Sequence, residues 1–117
     1  MNIAQIRPEA VPHSIESEQQ LIGMMLLNPS VAGSVQRAGG VDLFYDPVHA
    51  AIYEVIAAKE RGNFSVGIIE VADVMRSHEG LNELGGKAYL VRTAGASLSA
   101  HAAPSYIDLL RDMRRKR

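Results

Sequence analysis

Pro12-His13-Ser14-Ile15-Glu16-Ser17-Glu18-Gln19-Gln20-Leu21-Ile22-Gly23 opens the first helix of this chain and sets how the rest is read. Ser14 stands where a side-chain oxygen can cap exposed backbone N–H groups, and Glu16 and Glu18 fall in the first turn, at the positive end of the helix dipole. Ile15, Ile22, Met25 and Leu26 predict a single apolar face for a helix from about Ser14 to Asn28, which Asn28-Pro29 stops. Gly23 lies mid-helix, where glycine costs about 1 kcal/mol relative to alanine, so the position predicts a close approach by another helix.

Outward from this stretch the chain reads as helix after helix. A short second helix from about Pro29 to Ala38 ends at Gly39-Gly40. A loop over Val41-Asp42-Leu43-Phe44-Tyr45 then leads to Asp46-Pro47, an N-cap with proline in the first turn and the strongest helix-start signal here. The third helix runs to Arg61 with Val48, Ala51, Ile52, Val55 and Ile56 at core spacing, and Gly62 closes it. Val66, Ile68, Ile69 and Val71 are β-branched and would suit a strand. No partner strand is evident and a lone strand leaves backbone groups unsatisfied, so the stretch predicts a helix from about Gly67 to His78 with Ile68, Val71, Ala72 and Met75 buried. Gly85-Gly86 forms a turn, followed by a helix to about Ala94 with Ala88, Leu90 and Val91 inward. A final helix starts near Ala103 or Pro104 and runs to the C-terminus. Ile22, Ile52, Val55 and Leu90 are the expected meeting point of the helices. Phe44 and Tyr45 are expected to bridge the loop to the core with at least one ring mostly buried, the alternative being a partner-binding pair.

Three blocks along this path resemble the N-terminal domain of DnaB-type replicative DNA helicases. The opening stretch is similar to that family's P-x-[SN]-x-E-A-E-x-x-[LV]-L-G, with Ser17 in the place of alanine. Phe44-Tyr45, Pro47, His49, Ile52 and Tyr53 resemble D-F-Y-x-x-x-H-x-x-[IV]-[FY], with Leu43 where the acid stands, and Arg61-Gly62 fits the R-G turn. Leu81-Asn82-Glu83-Leu84-Gly85-Gly86-Lys87-Ala88-Tyr89-Leu90 looks like L-x-x-[IV]-G-G-x-x-Y-L. The blocks occur in register over residues 12–110. Gly67 departs from the usual aspartate cap, and Pro104 stands in a region that normally reads S-A-A-N. The resemblance implies an all-α globule of about six helices that packs as dimers around a ring and docks primase and loader proteins. It divides the chain into a flexible lead (1–11), a helical globule (12–102) and an extended terminal helix with a basic tail (103–117), half of a helical hairpin.

Composition agrees with one compact domain. The chain has 117 residues, 47% hydrophobic and 21% charged, enough to bury roughly two-thirds of its unfolded surface. No apolar run approaches the roughly 20 residues of a membrane span. With no cysteine, neither disulfides nor thiolate metal sites are possible, and no secretory signal is present, so a cytoplasmic location is expected. The net charge of −1 conceals an asymmetry, because the last seven residues carry five of the twelve basic groups and one acid. Such a cluster can meet phosphates, although cations also suit a helix C-terminus.

Catalytic readings fail on chemistry. Gly80 to Ala88 imitates a phosphate-binding loop, but the Gly-Lys pair comes one residue late, Ala88 replaces the Mg²⁺-binding hydroxyl, and no strand precedes it. Gly95-Ala96-Ser97-Leu98-Ser99 lacks the closing glycine of a nucleophile elbow. His13, His49, His78 and His101 form no H-x-x-x-H pair, and His49 reads as a packed or hydrogen-bonded histidine. Glu16 and Glu18 face different directions on a helix and cannot act as an acid/base pair. No cofactor is expected.

The expected function is therefore non-catalytic protein–protein interaction in DNA replication. The chain is either a piece of a full helicase or a stand-alone protein, as from a mobile element, that docks on the host helicase or primase. The expected contact is a stripe of Tyr106, Ile107, Leu110 and Met113 left without a covering partner, serving self-association into a dimer or ring or binding to an intact helicase, primase or loader. Arg111, Arg114, Arg115, Lys116 and Arg117 would form its rim. A competing reading makes this tail a nucleic-acid contact, against which stand the acidic remainder of the chain and the absence of aromatic residues among the tail cations.

Overall fold

The computed structural model describes residues 11–117, so the expected lead lies, apart from Val11, outside the described residues. Among these residues seven α-helices follow one another: α1 (Ile15–Leu27), α2 (Val31–Ala38), α3 (Pro47–Arg61), α4 (Ile68–Val74), α5 (Glu79–Leu84), α6 (Lys87–Gly95) and α7 (Ala103–Lys116). Short 3-10 turns at Gly40–Leu43 and Ala100–Ala102 lead toward α3 and into α7. No strand occurs among the described residues, and no helix there is long and apolar enough to cross a membrane. The fold is the expected all-α globule, with α5 as a helix that the sequence reading lacked.

α1 is the central strut. It packs against α3, α6 and α7, and Leu21, Ile22 and Met25 are fully buried, together with Leu43, Ile52, Ile56, Leu90 and Leu110 from the elements around it. Each such side chain contributes about 1.5–3 kcal/mol over its exposed state. Val55, expected in this core, is only half-buried, while Ile56 beside it is enclosed. The α1–α6 crossing is close because of Gly23. A Cβ there would lie 2.4 Å from the Thr93 carbonyl oxygen and 2.6 Å from the Ser97 Cβ, so glycine is required by the approach of α6.

Local signals set the helix ends. Ser14 Oγ accepts from the Ser17 N–H at 3.3 Å and donates to the Ser17 hydroxyl at 2.9 Å, which gives a partner to the buried Ser17 that departs from the family alanine. Asp46 Oδ1 accepts from the Val48 and His49 N–H groups at 2.7 and 3.3 Å, with Pro47 in the first turn of α3. Gly67 starts α4 without a side-chain cap. The helix expected to reach His78 instead stops at Val74, turns, and restarts. His78 Nδ1 accepts from the Leu81 N–H at 3.1 Å, so an imidazole caps α5, a role for which composition gives no signal. Gly85 and Gly86 then adopt φ of +119° and +61°, and the Gly86 N–H bonds to the Leu81 carbonyl at 2.9 Å, a geometry glycine enters without Cβ strain.

The inward face of α6 differs from expectation. Ala88 and Val91 are exposed, while Tyr89, Leu90, Thr93 and Ala94 are buried. Thr93 and Tyr89 carry polar atoms, yet Thr93 Oγ1 donates to the Tyr89 carbonyl at 2.7 Å and the phenol has partners described next, so an apolar pattern alone turned the helix too far.

Candidate functional site

Glu18 projects from α1 toward the start of α3 and is completely buried. One carboxylate oxygen accepts from the Tyr45 N–H at 2.9 Å; the other accepts from the Asp46 N–H at 3.2 Å and lies 3.0 Å from His49 Nδ1. The two N–H groups belong to the residues just before α3, so a side chain of α1 holds the turn whose Asp46 caps α3. An ionised carboxylate has only acceptors, so His49 Nδ1 carries the proton toward it. His49 Nε2 then accepts from the Tyr89 hydroxyl of α6 at 2.6 Å, and Gln19 Nε2 donates to the same phenol oxygen at 3.2 Å. Among the described residues no buried side-chain polar atom lacks a partner, which is the condition under which a buried charge is tolerated.

Each member of this knot comes from a different block of the sequence resemblance: Glu18 from the first, His49 from the second, Tyr89 from the third. His49 is the hydrogen-bonded helix histidine that its sequence setting predicts. Glu18, read only as a first-turn acid, and Tyr89 were missed. The signal for Glu18 was available: Leu21, Ile22 and Met25 follow at three, four and seven residues, which puts the carboxylate on the apolar face. A cleft of about 320 Å³ beside the knot is bordered by Glu16, Gln19, Tyr89 and Arg92, so it opens on the phenol side, and the imidazole stays enclosed with nothing exposed for it to activate. Next door, Gln20 clamps the chain after α6, donating to the Ala96 carbonyl at 3.2 Å and accepting from the Leu98 N–H at 2.8 Å.

Of Phe44 and Tyr45, expected to bridge to the core with at least one ring mostly buried, Phe44 is the enclosed one. Phe44 is buried against Tyr53, with ring centroids 5.5 Å apart. Tyr45 is half-buried, stacked on His13 at 4.3 Å, and the Arg117 guanidinium lies 5.9 Å from its ring centre. Arg117 also donates to the carbonyls of Asp42 and Leu43 at 3.0 and 3.2 Å and to that of Pro12 at 3.3 Å. Arg114 pairs with the Asp42 carboxylate at 3.3 Å. These contacts clasp the last turn of α7 onto the first 3-10 turn and onto the residues that lead into α1.

The terminal stripe is corrected by this packing. Ile107 and Leu110 are buried in the domain's own core, with Ala103, at i, i+4 and i+7 along the face that meets α1. They are covered within the chain and cannot form an open strip. Tyr106 and Met113 are half-buried along its edge, where Leu109, unremarked in the sequence, is 37% exposed. Every tail cation has an intramolecular partner. Arg111 approaches Asp108 at 4.0 Å, while Arg115 and Lys116 pair with Asp112 at 3.6 and 2.9 Å. The hydrogen bond from Lys116 holds the Asp112 carboxyl below the usual carboxylate range.

The imitation of a phosphate loop is, in three dimensions, nearly all of α5, the Gly85-Gly86 turn and the start of α6. Among the described residues no three His, Cys, Asp or Glu side chains group as a metal site would need. Fold and knot together define an all-α domain whose polar centre is architectural.

Comparison with known proteins makes the class specific. The model of the DnaB-like helicase N-terminal domain matches residues 10–112. The chain is 30% identical over 102 residues to the replicative DNA helicase DnaB of Haemophilus influenzae, covering 86% of this chain and 22% of the relative. It is 28% identical over 101 residues to that of Pasteurella multocida, with the same two coverages. The crystal structure of the N-terminal domain of DnaB helicase from Mycobacterium tuberculosis shares the fold, with a TM-score of 0.80 at 23% identity over 90% of this chain and 76% of that one. The chain belongs to the DnaB-like helicase N-terminal domain family. It spans about a fifth of the length of these curated relatives.

Proposed function

We propose that this domain serves DNA replication as a non-catalytic interaction module of a replicative helicase, taking part in ring assembly and in docking primase or a helicase loader. The observation that carries the reading is the family match over residues 10–112 to the part of these relatives outside which most of their length lies. ATP-driven unwinding would belong to that remaining length. The burial of Glu18, His49 and Tyr89 supports it further, because the signature residues hold the interior and leave the outer helix faces to partners. A cytoplasmic setting goes with the role. Self-association would use the exposed edge of α7, Tyr106, Leu109 and Met113, in place of Leu110. Any contact of the basic last turn with DNA would be weak, since its cations already have intramolecular partners and few would be free to displace counterions.

Sedimentation of the chain alone and mixed with purified replicative helicase tests the proposal. Self-association or co-sedimentation is expected, weakened by Tyr106→Asp with Met113→Asp. A monomer at every concentration that also ignores the helicase would overturn it.

A further inference from the structure

We infer that the groove between α2 and α7 receives an acidic amphipathic helix from a partner protein. The inference rests on the interaction-module reading and deepens it by giving the chemistry of one partner. The groove is a shallow, open depression of about 300 Å³, with Ser34, Arg37 and Ala38 on the α2 side and Pro104, Ile107, Asp108 and Arg111 on the α7 side. Its hydrocarbon comes from the half-buried Ala38, the exposed Pro104 and the nearly covered Ile107. Its two walls carry exposed guanidinium groups.

Those two groups stand apart from the other cations of this region. Arg114, Arg115 and Lys116 are matched to carboxylates at 2.9 to 3.6 Å. Arg37 has only the neutral Ser34 hydroxyl, at 3.1 Å, and no carboxylate within ion-pair distance among the described residues. Arg111 reaches Asp108 only at 4.0 Å, the outer limit of a pair. A guanidinium has five donors in a fixed fork, so both retain capacity for a bidentate carboxylate. An apolar strip flanked by two underused arginines is complementary to a helix that lays apolar side chains at i and i+4 on it and carries Asp or Glu along both flanks. A nucleic-acid strand fits less well. The residues lining the groove include no aromatic ring on which a base could stack.

The test titrates the full chain, followed by backbone amide NMR shifts, with three probes. These are a synthetic helical peptide with leucines at i and i+4 flanked by glutamates, its counterpart with lysine for glutamate, and a single-stranded oligothymidine. The acidic peptide is expected to shift α2 and α7 amides, and Arg37→Glu with Arg111→Glu to weaken it by about tenfold or more, about 1.4 kcal/mol. Arg76→Glu, an exposed arginine on the turn after α4, is expected to leave binding unchanged. No shift in the groove, binding that survives the double reversal, or groove shifts from oligothymidine without any from the acidic peptide would each overturn the inference. Thermal melts check that the exposed substitutions leave the fold intact. If the wild-type chain associates with the helicase while the acidic peptide fails to bind that same wild-type chain, the groove assignment falls and the interaction-module reading stands.

Discussion

The knot of Glu18, His49 and Tyr89 and the clasp of Arg114 and Arg117 on Asp42 do the same topological work, since each joins segments remote in sequence. They differ in their access to water. Glu18 and His49 are at most 1% exposed, whereas the side chains of Arg114 and Asp42 are 46% and 65% exposed. Inside the domain a carboxylate without its donors has nothing to replace them, so the knot tolerates little change. At the surface water stands ready to solvate either partner, and the clasp contributes little. That contrast explains how an interior can carry the family signature while the outer surfaces stay free for the proposed function.

The largest expected effect follows from emptying the knot. Glu18→Ala leaves His49 and the Tyr45 and Asp46 N–H groups without their acceptor, and is expected to cost about 3–5 kcal/mol in urea unfolding; a loss under about 1 kcal/mol would mean that water reaches the site. Next comes the crossing that brings the third block against the first. Gly23→Ala sets a methyl 2.4 Å from the Thr93 carbonyl oxygen, and the forced separation of α1 and α6 is expected to cost about 1–3 kcal/mol. If its melting temperature matches that of the wild type, the helices are less closely seated than described. The smallest effect belongs to the clasp. Arg114→Ala is expected to cost under about 1 kcal/mol and to lose even that in molar salt, because exposed ion pairs are screened. A large, salt-independent loss would erase the contrast between the two regions.

Much of this architecture was legible in the sequence where local chemistry decides the outcome. Asp46-Pro47 fixes the start of α3, Gly85-Gly86 fixes a turn that only glycine enters easily, and Gly23 announced a helix crossing without naming α6 as the partner. Features that depend on tertiary partners were harder to read. An imidazole caps α5 because His78 happens to face Leu81 N–H. Tyr89 and Thr93 turn α6 inward because their polar atoms find acceptors and donors there. The stripe on α7 was correctly seen as amphipathic, but its burying face lies one position round, on Ala103, Ile107 and Leu110, because α1 supplies the cover that the sequence could not show. Glu18 was the costliest omission: a carboxylate in a first turn satisfies a dipole argument so readily that its place in the apolar stripe went unread.

The central claim, that the three signature blocks are joined through one buried polar interaction, is tested most directly by a double-mutant cycle between Glu18 and His49. Urea unfolding of Glu18→Gln, His49→Gln and the double variant, at low and at molar salt, gives the coupling energy. The account predicts coupling of about 1.5 kcal/mol or more that molar salt leaves unchanged. Costs that add within about 0.5 kcal/mol would contradict it.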